Sequence, residues 1–348
     1  MRRSSSIGGL LIRLAGLHVR RRPWWIGAAA LVGAFGLAGS DEVQAPREAV
    51  QAAVLPDGFV ALHGEVGARR LIEVDRNGQA RRDVGLDVAG ELRVVGTRGG
   101  VAVGWLEGAK VQLARVGDDG TLEDRTAWGK SARQLCAGVA SNDQRFAIGW
   151  VEAADGHVWF VHGPTAQGMM TEDPPVEIHD PFRASWCGLA SAGSDLGLLW
   201  KGKDRLALTF CGKRECSEIP VRVALDPSHE VTGFGCLRDT CLIATRDRGV
   251  TRLNYVSRLG KVKWSRVLEI KAGTSVSIVG ASQSFAVATV TAEGARVSRY
   301  SRDGAESVQW TIGEASASAP ALAWAAGKLV IAYERPGAGA TYVMAWPG

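Results

Sequence analysis

The chain has 348 residues, with 44 Gly and 12 Trp, and a formal charge of +5. Such a charge would suit a nucleic-acid or membrane-surface partner, but residues 1–40 hold six arginines and no acid, so without them the charge falls from +5 to −1. The near-neutral body excludes a nucleic-acid partner on charge grounds, and its Gly and Trp usage suits many short strands joined by turns.

The first 40 residues read as a targeting segment. Residues 1–22 carry the arginines, Trp24 to Gly39 form an unbroken apolar or small run, and Ala38-Gly39-Ser40 offers a small-residue cleavage site before Asp41. That order is the layout of a secretory signal peptide. The run is shorter than the roughly 20 residues of a spanning helix, which favours cleavage over the alternative, an uncleaved signal anchor at the inner membrane. On either reading the body is exported, periplasmic or at the cell surface, and meets the membrane only through its N-terminal segment. Residues 41–48 follow as a linker or as a strand that returns to close the end of the chain, where Pro46 suits only a short edge strand.

From residue 49 to residue 348 a pattern recurs seven times. His63, Trp105, Trp150, Trp200, Thr245, Thr289 and Tyr333 stand 42 to 50 residues apart. Two residues before each stand Ala61, Val103, Ile148, Leu198, Ile243, Val287 and Ile331, and four before stand Phe59, Val101, Phe146, Leu196, Cys241, Phe285 and Leu329. Alternate positions line one face of a strand, so every repeat has a strand with one buried face. The aromatic column continues that face, which predicts burial between repeats and not a sugar-stacking platform. Turn glycines at 78, 120, 168, 212, 260 and 304 keep the same spacing.

One repeat reads as strands Glu91 to Gly96, Val101 to Trp105, Lys110 to Val116 and Thr121 to Trp128. The first begins at Ala49 to Val54. The last has Pro320 to Trp324, Lys328 to Tyr333 and Thr341 to Trp346 and lacks a fourth strand. Four strands every 40 to 50 residues predict an all-β fold, a seven-bladed β-propeller of four-stranded antiparallel blades. At this level residues 49–346 resemble the bacterial extracytoplasmic seven-bladed propellers. Ser301-Arg302-Asp303-Gly304 through Trp310 resembles a sialidase Asp-box, but Gly directly follows the Asp and no other blade repeats it.

Six cysteines in an exported body predict three structural disulfides in preference to a metal site or a reactive thiol. Cys211 and Cys216, and Cys236 and Cys241, each flank a hairpin turn. Cys136 and Cys187 remain, in similar contexts on the first strands of adjacent blades.

The third repeat is the irregular one. Its extra length includes Thr171 to Trp186 (TEDPPVEIHDPFRASW), expected on the same face as Glu152 to His157. Long loops on a rigid scaffold often carry binding residues, so Glu172, Asp173, His179, Asp180, Phe182, Arg183 and His157 form the candidate ligand- or partner-binding set. The competing reading is a solvated Pro-rich connection. His179 with Asp180 is too small a set to define a metal site, and no metal or cofactor is assigned. Neither H-E-x-x-H, G-x-S-x-G nor a Gly-rich phosphate loop occurs, no catalytic residue is assigned, and Glu91 with Arg93 reads as a structural ion pair. The expected function is a monomeric, non-catalytic interaction module of the cell envelope whose partner is a protein or glycan. The alternative is a carbohydrate-active or quinone-linked propeller enzyme using Glu172, Asp173 and Asp180.

Overall fold

A computed structural model describes residues 51–347 apart from positions 56, 65–66, 76–78, 98, 129–130, 140–145, 164–174, 179–182, 213–215, 217–219, 313–319, 326–327 and 335–340. The first blade comprises β1 (Gln51–Leu55), β2 (Gly58–His63), β3 (Arg69–Asp75) and β4 (Ala80–Leu86). The second comprises β5 (Leu92–Thr97), β6 (Gly100–Glu107), β7 (Lys110–Val116) and β8 (Leu122–Trp128). In the third are β9 (Ala132–Val139), β10 (Phe146–Glu152), β11 (Val158–Gly163) and β12 (Val176–Ile178). The fourth has β13 (Ala184–Ala192), β14 (Asp195–Gly202), β15 (Leu206–Cys211) and β16 (Val221–Val223). The fifth has β17 (Glu230–Leu237), β18 (Thr240–Asp247), β19 (Val250–Ser257) and β20 (Val262–Leu268). The sixth has β21 (Ser277–Ala281), β22 (Ser284–Thr291), β23 (Gly294–Tyr300) and β24 (Glu306–Ile312). A last sheet has only β25 (Ala321–Ala325), β26 (Lys328–Glu334) and β27 (Thr341–Pro347).

Every sheet is an antiparallel meander in chain order. The expectation of seven four-stranded blades is therefore corrected: among the described residues six sheets have four strands, and the seventh repeat supplies three. The strand-forming runs of that repeat are used up by β25, β26 and β27, and no fourth partner for β27 stands among the described residues. Residues 1–40 and 41–48 lie outside the described residues. Among those described, no helix is long and apolar enough to cross a membrane.

The first strand of each sheet touches the first strands of its neighbours, and β25 lies between β21 and β1, so the sheets stand in a ring. Apolar layers fill the spaces between them. Leu71, Val103 and Trp105 pack between the first and second blades, and Leu113, Ile148 and Trp150 between the second and third. Phe160, Leu198 and Trp200 come next, then Phe210, Ile243 and Val256, then Leu253, Phe285 and Val287. Val297, Ile331 and Tyr333 join the sixth blade to the last sheet, and Phe59, Ala61, Val330 and Ala332 join that sheet to the first blade. The aromatic column is thus the face each second strand turns to the preceding sheet. Trp105, Trp150, Trp200 and Tyr333 are at most 4% exposed, and burial on this scale contributes about 2–3 kcal/mol per side chain. Where the column changes to Thr245, its buried hydroxyl accepts from Asn254 Nδ2 at 3.0 Å.

The turn glycines have a second role. Gly120, Gly260 and Gly304 lie at φ +87°, +75° and +88°, a region open to Gly and costly for other residues. Each also abuts the outer strand of the preceding blade. A Cβ at Gly120 would stand 2.8 Å from the Gly85 carbonyl oxygen, one at Gly304 would stand 3.1 Å from the Trp264 ring, and one at Gly260 would overlap the Arg222 carbonyl. The Asp before two of these glycines closes its own turn. Asp119 Oδ1 accepts from Thr121 N at 2.9 Å and Oγ1 at 2.6 Å, and Asp303 accepts from Ser301 Oγ and from Ala305 N. These bonds hold both carboxyls below the usual Asp range.

Side chains also clip neighbouring first strands together. Gln51 Nε2 donates to Leu92 O at 2.6 Å and its Oε1 accepts from Val94 N at 3.0 Å, joining the first two blades. Glu91 Oε2 accepts from Leu135 N at 3.1 Å while Oε1 accepts from Arg93 Nη2 at 2.5 Å, joining the second blade to the third. The Cys136–Cys187 disulfide joins the third to the fourth, and Ser277 Oγ accepts from Leu322 N at 3.2 Å across the sixth blade and the last sheet. Glu91 with Arg93 accordingly belongs to a blade junction. Glu91→Ala strips the Leu135 N–H of its acceptor and is expected to cost about 2 kcal/mol, measured as a lower urea midpoint with unchanged m-value.

Candidate functional site

The polar constellation of the third blade forms where β10 turns into β11. Glu152 ends β10, Ala153 to Gly156 make the turn, and His157 precedes β11. Asp155 Oδ1 accepts from His157 N at 3.0 Å, and Glu152 N donates to His157 O at 2.8 Å, so the turn is closed twice. Glu152 is buried at 4% exposure although it carries a carboxylate, and its Oε2 accepts from Trp159 Nε1 at 3.0 Å. His157 is half-buried. Its Nδ1 lies 2.7 Å from Glu177 Oε1 and 3.7 Å from Asp155 Oδ2.

Glu177 reaches the turn because Val176–Ile178 is a strand. β12 pairs with β11 in the register Val158↔Ile178, Trp159↔Glu177 and Phe160↔Val176. Ile178 enters the apolar layer toward the fourth blade. The stretch read as an irregular loop therefore contains the outer strand of its blade, a short Val-Glu-Ile run just after a pair of prolines. The connection beyond it returns to the same turn: Ala184 N donates to Gly156 O at 2.8 Å, and a Cβ on Gly156 would stand 3.0 Å from Arg183 Cβ. Arg183 itself is exposed.

Of the candidate set, His157 and Arg183 come together at this turn. Glu172, Asp173, His179, Asp180 and Phe182 lie outside the described residues. Glu152, Asp155 and Glu177 were not in the set. The signal for Glu152 and Asp155 was the spacing V-E-A-A-D-G-H across a hairpin turn, which places a strand-end acid, a turn Asp and a His on one rim.

The ring axis has a different character. A cavity of 170 Å³ there is lined by residues of β1, β5, β13, β17, β21 and β25, among them Ala52, Val94, Leu189, Phe234, Ile278 and Trp324. Among the described residues its lining side chains are apolar or small, with Ser191 the sole hydroxyl and Cys236 held in a disulfide. A second cleft, of 280 Å³, lies between the fifth and sixth blades beside Arg266, Arg296, Tyr300 and Glu306. There Glu306 pairs with Arg296 at 2.9 Å and Arg266 at 3.7 Å, and burial, with Glu306 adding to it, raises the Tyr300 pKa. These pairings read as a blade junction.

The ring of antiparallel meanders defines the class of protein as a β-propeller. No family model matches the sequence, and no curated protein matches it. Solved structures do match. That of the polysaccharide lyase Uly1 aligns with a TM-score of 0.57 at 9% identity, covering 93% of this chain and 94% of that one. The Dos1 propeller aligns with a TM-score of 0.52 at 10% identity, covering 87% and 84%. Likeness at such identities extends to the fold alone.

Proposed function

We propose that the chain is an exported, non-catalytic β-propeller serving as a protein- or glycan-interaction module in the cell envelope, and that it binds through the rim bearing the β10–β11 turn. The lining of the axial cavity carries this reading. Propeller chemistry placed at the axis would draw acids, bases or metal ligands from the first strands, and the cavity there is lined by apolar and small side chains. A polar cluster stands instead at the rim of the third blade, on a turn closed by its own hydrogen bonds. Rigid scaffolds that present such turns bind partners at little ordering cost. Three disulfides support an oxidising compartment, and with the N-terminal segment they support export. On this reading the three-stranded sheet takes the seventh place in the ring, with residues 41–48 as its linker or closing strand.

The test uses a photo-crosslinking residue that inserts into C–H bonds, so that it captures protein and glycan alike. Placed at Ala154, exposed at the tip of the β10–β11 turn, it is expected to give a discrete adduct in intact envelopes. Placed at Asp239, exposed in the β17–β18 turn on the other face, it is expected to give none. Adducts from Asp239 alone, or none from Ala154, would sink the reading. Deleting Thr171 to Arg183 is unsuitable as a test, because it removes β12 and the buried Ile178.

A further inference from the structure

We propose that the rim of the third blade binds one divalent transition-metal ion of the zinc class, held by Glu152, Asp155 and His157. One donor atom from each of these side chains lies within 4.8 Å of the others. They come from a strand end, a turn and the residue before a strand, and the turn linking them is braced by His157 N donating to Asp155 Oδ1 and Glu152 N donating to His157 O. Glu152 is 4% exposed, so the attraction of its carboxylate for a cation at this point is little screened by water.

The surroundings match what a metal-bound imidazole and carboxylate need. His157 Nδ1 lies 2.7 Å from Glu177 Oε1 and 3.7 Å from Asp155 Oδ2, so one edge of the imidazole faces both carboxylates. Ligating carboxylates are themselves held by hydrogen bonds at metal sites, as Trp159 Nε1 holds Glu152 Oε2 at 3.0 Å. Glu177 thus adds a negative charge beside the imidazole. A donor set of two oxygens and one imidazole nitrogen suits zinc or manganese, whereas calcium takes six to eight oxygens. Three protein donors leave a coordination position open to water or to a carboxylate of a partner. That use of the ion rests on the binding-face reading above; its presence does not.

The experiment takes tag-free protein, freed of metal by a chelator, and titrates it calorimetrically with Zn²⁺ and separately with Ca²⁺. Visible absorption of the Co²⁺ form reports the geometry. One Zn²⁺ per chain is expected, with Ca²⁺ bound at least tenfold more weakly. Glu152→Gln, which keeps the bond to Trp159, and His157→Ala should each weaken Zn²⁺ by more than tenfold with circular dichroism unchanged. Glu177→Gln should weaken it by about tenfold. Absence of saturable Zn²⁺ binding, or undiminished binding in folded His157→Ala, overturns the proposal. If Zn²⁺ fails to bind while the Ala154 crosslink persists, the ion is overturned and the binding face stands.

Discussion

Replacing Cys136 and Cys187 together by Ala is expected to lower the unfolding free energy by about 4 kcal/mol, against about 2 kcal/mol for either hairpin pair. The contrast comes from loop length. Cys136–Cys187 spans 51 residues, whereas Cys211–Cys216 and Cys236–Cys241 each span 5. Closing the longer loop removes more conformational freedom from the unfolded chain. Position adds to it. The 51-residue bridge ties β9 to β13, two first strands of adjacent blades, with both cysteines 2% exposed in the layer between them. The hairpin bridges tie strands already joined within one blade: Cys236 and Cys241 are direct partners in the β17–β18 ladder, and Cys211 and Cys216 form an isolated bridge. Guanidinium unfolding of the three double variants under identical conditions decides the matter. Equal losses from all three would show that the third and fourth blades are held by their apolar layer alone.

Much of this arrangement is legible in the sequence because propeller strands bury one face in a fixed register. Lys110–Val116 is the same strand by pattern and by hydrogen bonding, and Gln51–Leu55, Leu92–Thr97 and Lys328–Glu334 differ from the expected limits by one or two residues. Alternation carried that information: Val101, Val103 and Trp105 all face the first blade. Where a strand is short and polar the signal fades. Val176–Ile178 offers one fully buried residue, and its neighbours Pro174, Pro175, His179 and Asp180 read as loop, so the outer strand of the third blade was hidden inside a presumed insertion. The number of complete blades was misjudged for a related reason. A repeat is counted from its second strand, and β26 is as strong as any other, so the seventh repeat was counted as a blade although only three strand-forming runs, Pro320 to Trp324, Lys328 to Tyr333 and Thr341 to Trp346, were read in it. The rim constellation was half visible. His157 could be chosen from sequence, but Glu152 becomes informative only once its burial is known, and Glu177 only once pairing with Trp159 sets it across from the turn.

Adding a single methyl group at Gly96 or Gly280 is expected to cost at least about 3 kcal/mol, near the upper end of what overpacking produces. Neither position has an unusual backbone angle, so the cost is steric. A Cβ on Gly96 of β5 would overlap the carbonyl oxygen of Val54 on β1, and one on Gly280 of β21 would overlap that of Cys236 on β17. In both cases the obstacle is the backbone of the neighbouring blade's first strand, which yields only if two blades move apart. Gly85→Ala in β4 is the control. A Cβ there meets nothing within 4 Å, and the substitution should be neutral or stabilising by up to about 1 kcal/mol through the unfolded chain. Urea midpoints of the three variants measure the difference; a Gly96→Ala protein as stable as Gly85→Ala would mean the blades are not in backbone contact at the axis. That contact bears on function as well as stability. First strands drawn together through glycine leave an axial space of 170 Å³ bounded by apolar and small side chains. Among the described residues that line this space none is charged, the observation on which the proposed binding at the β10–β11 turn rests.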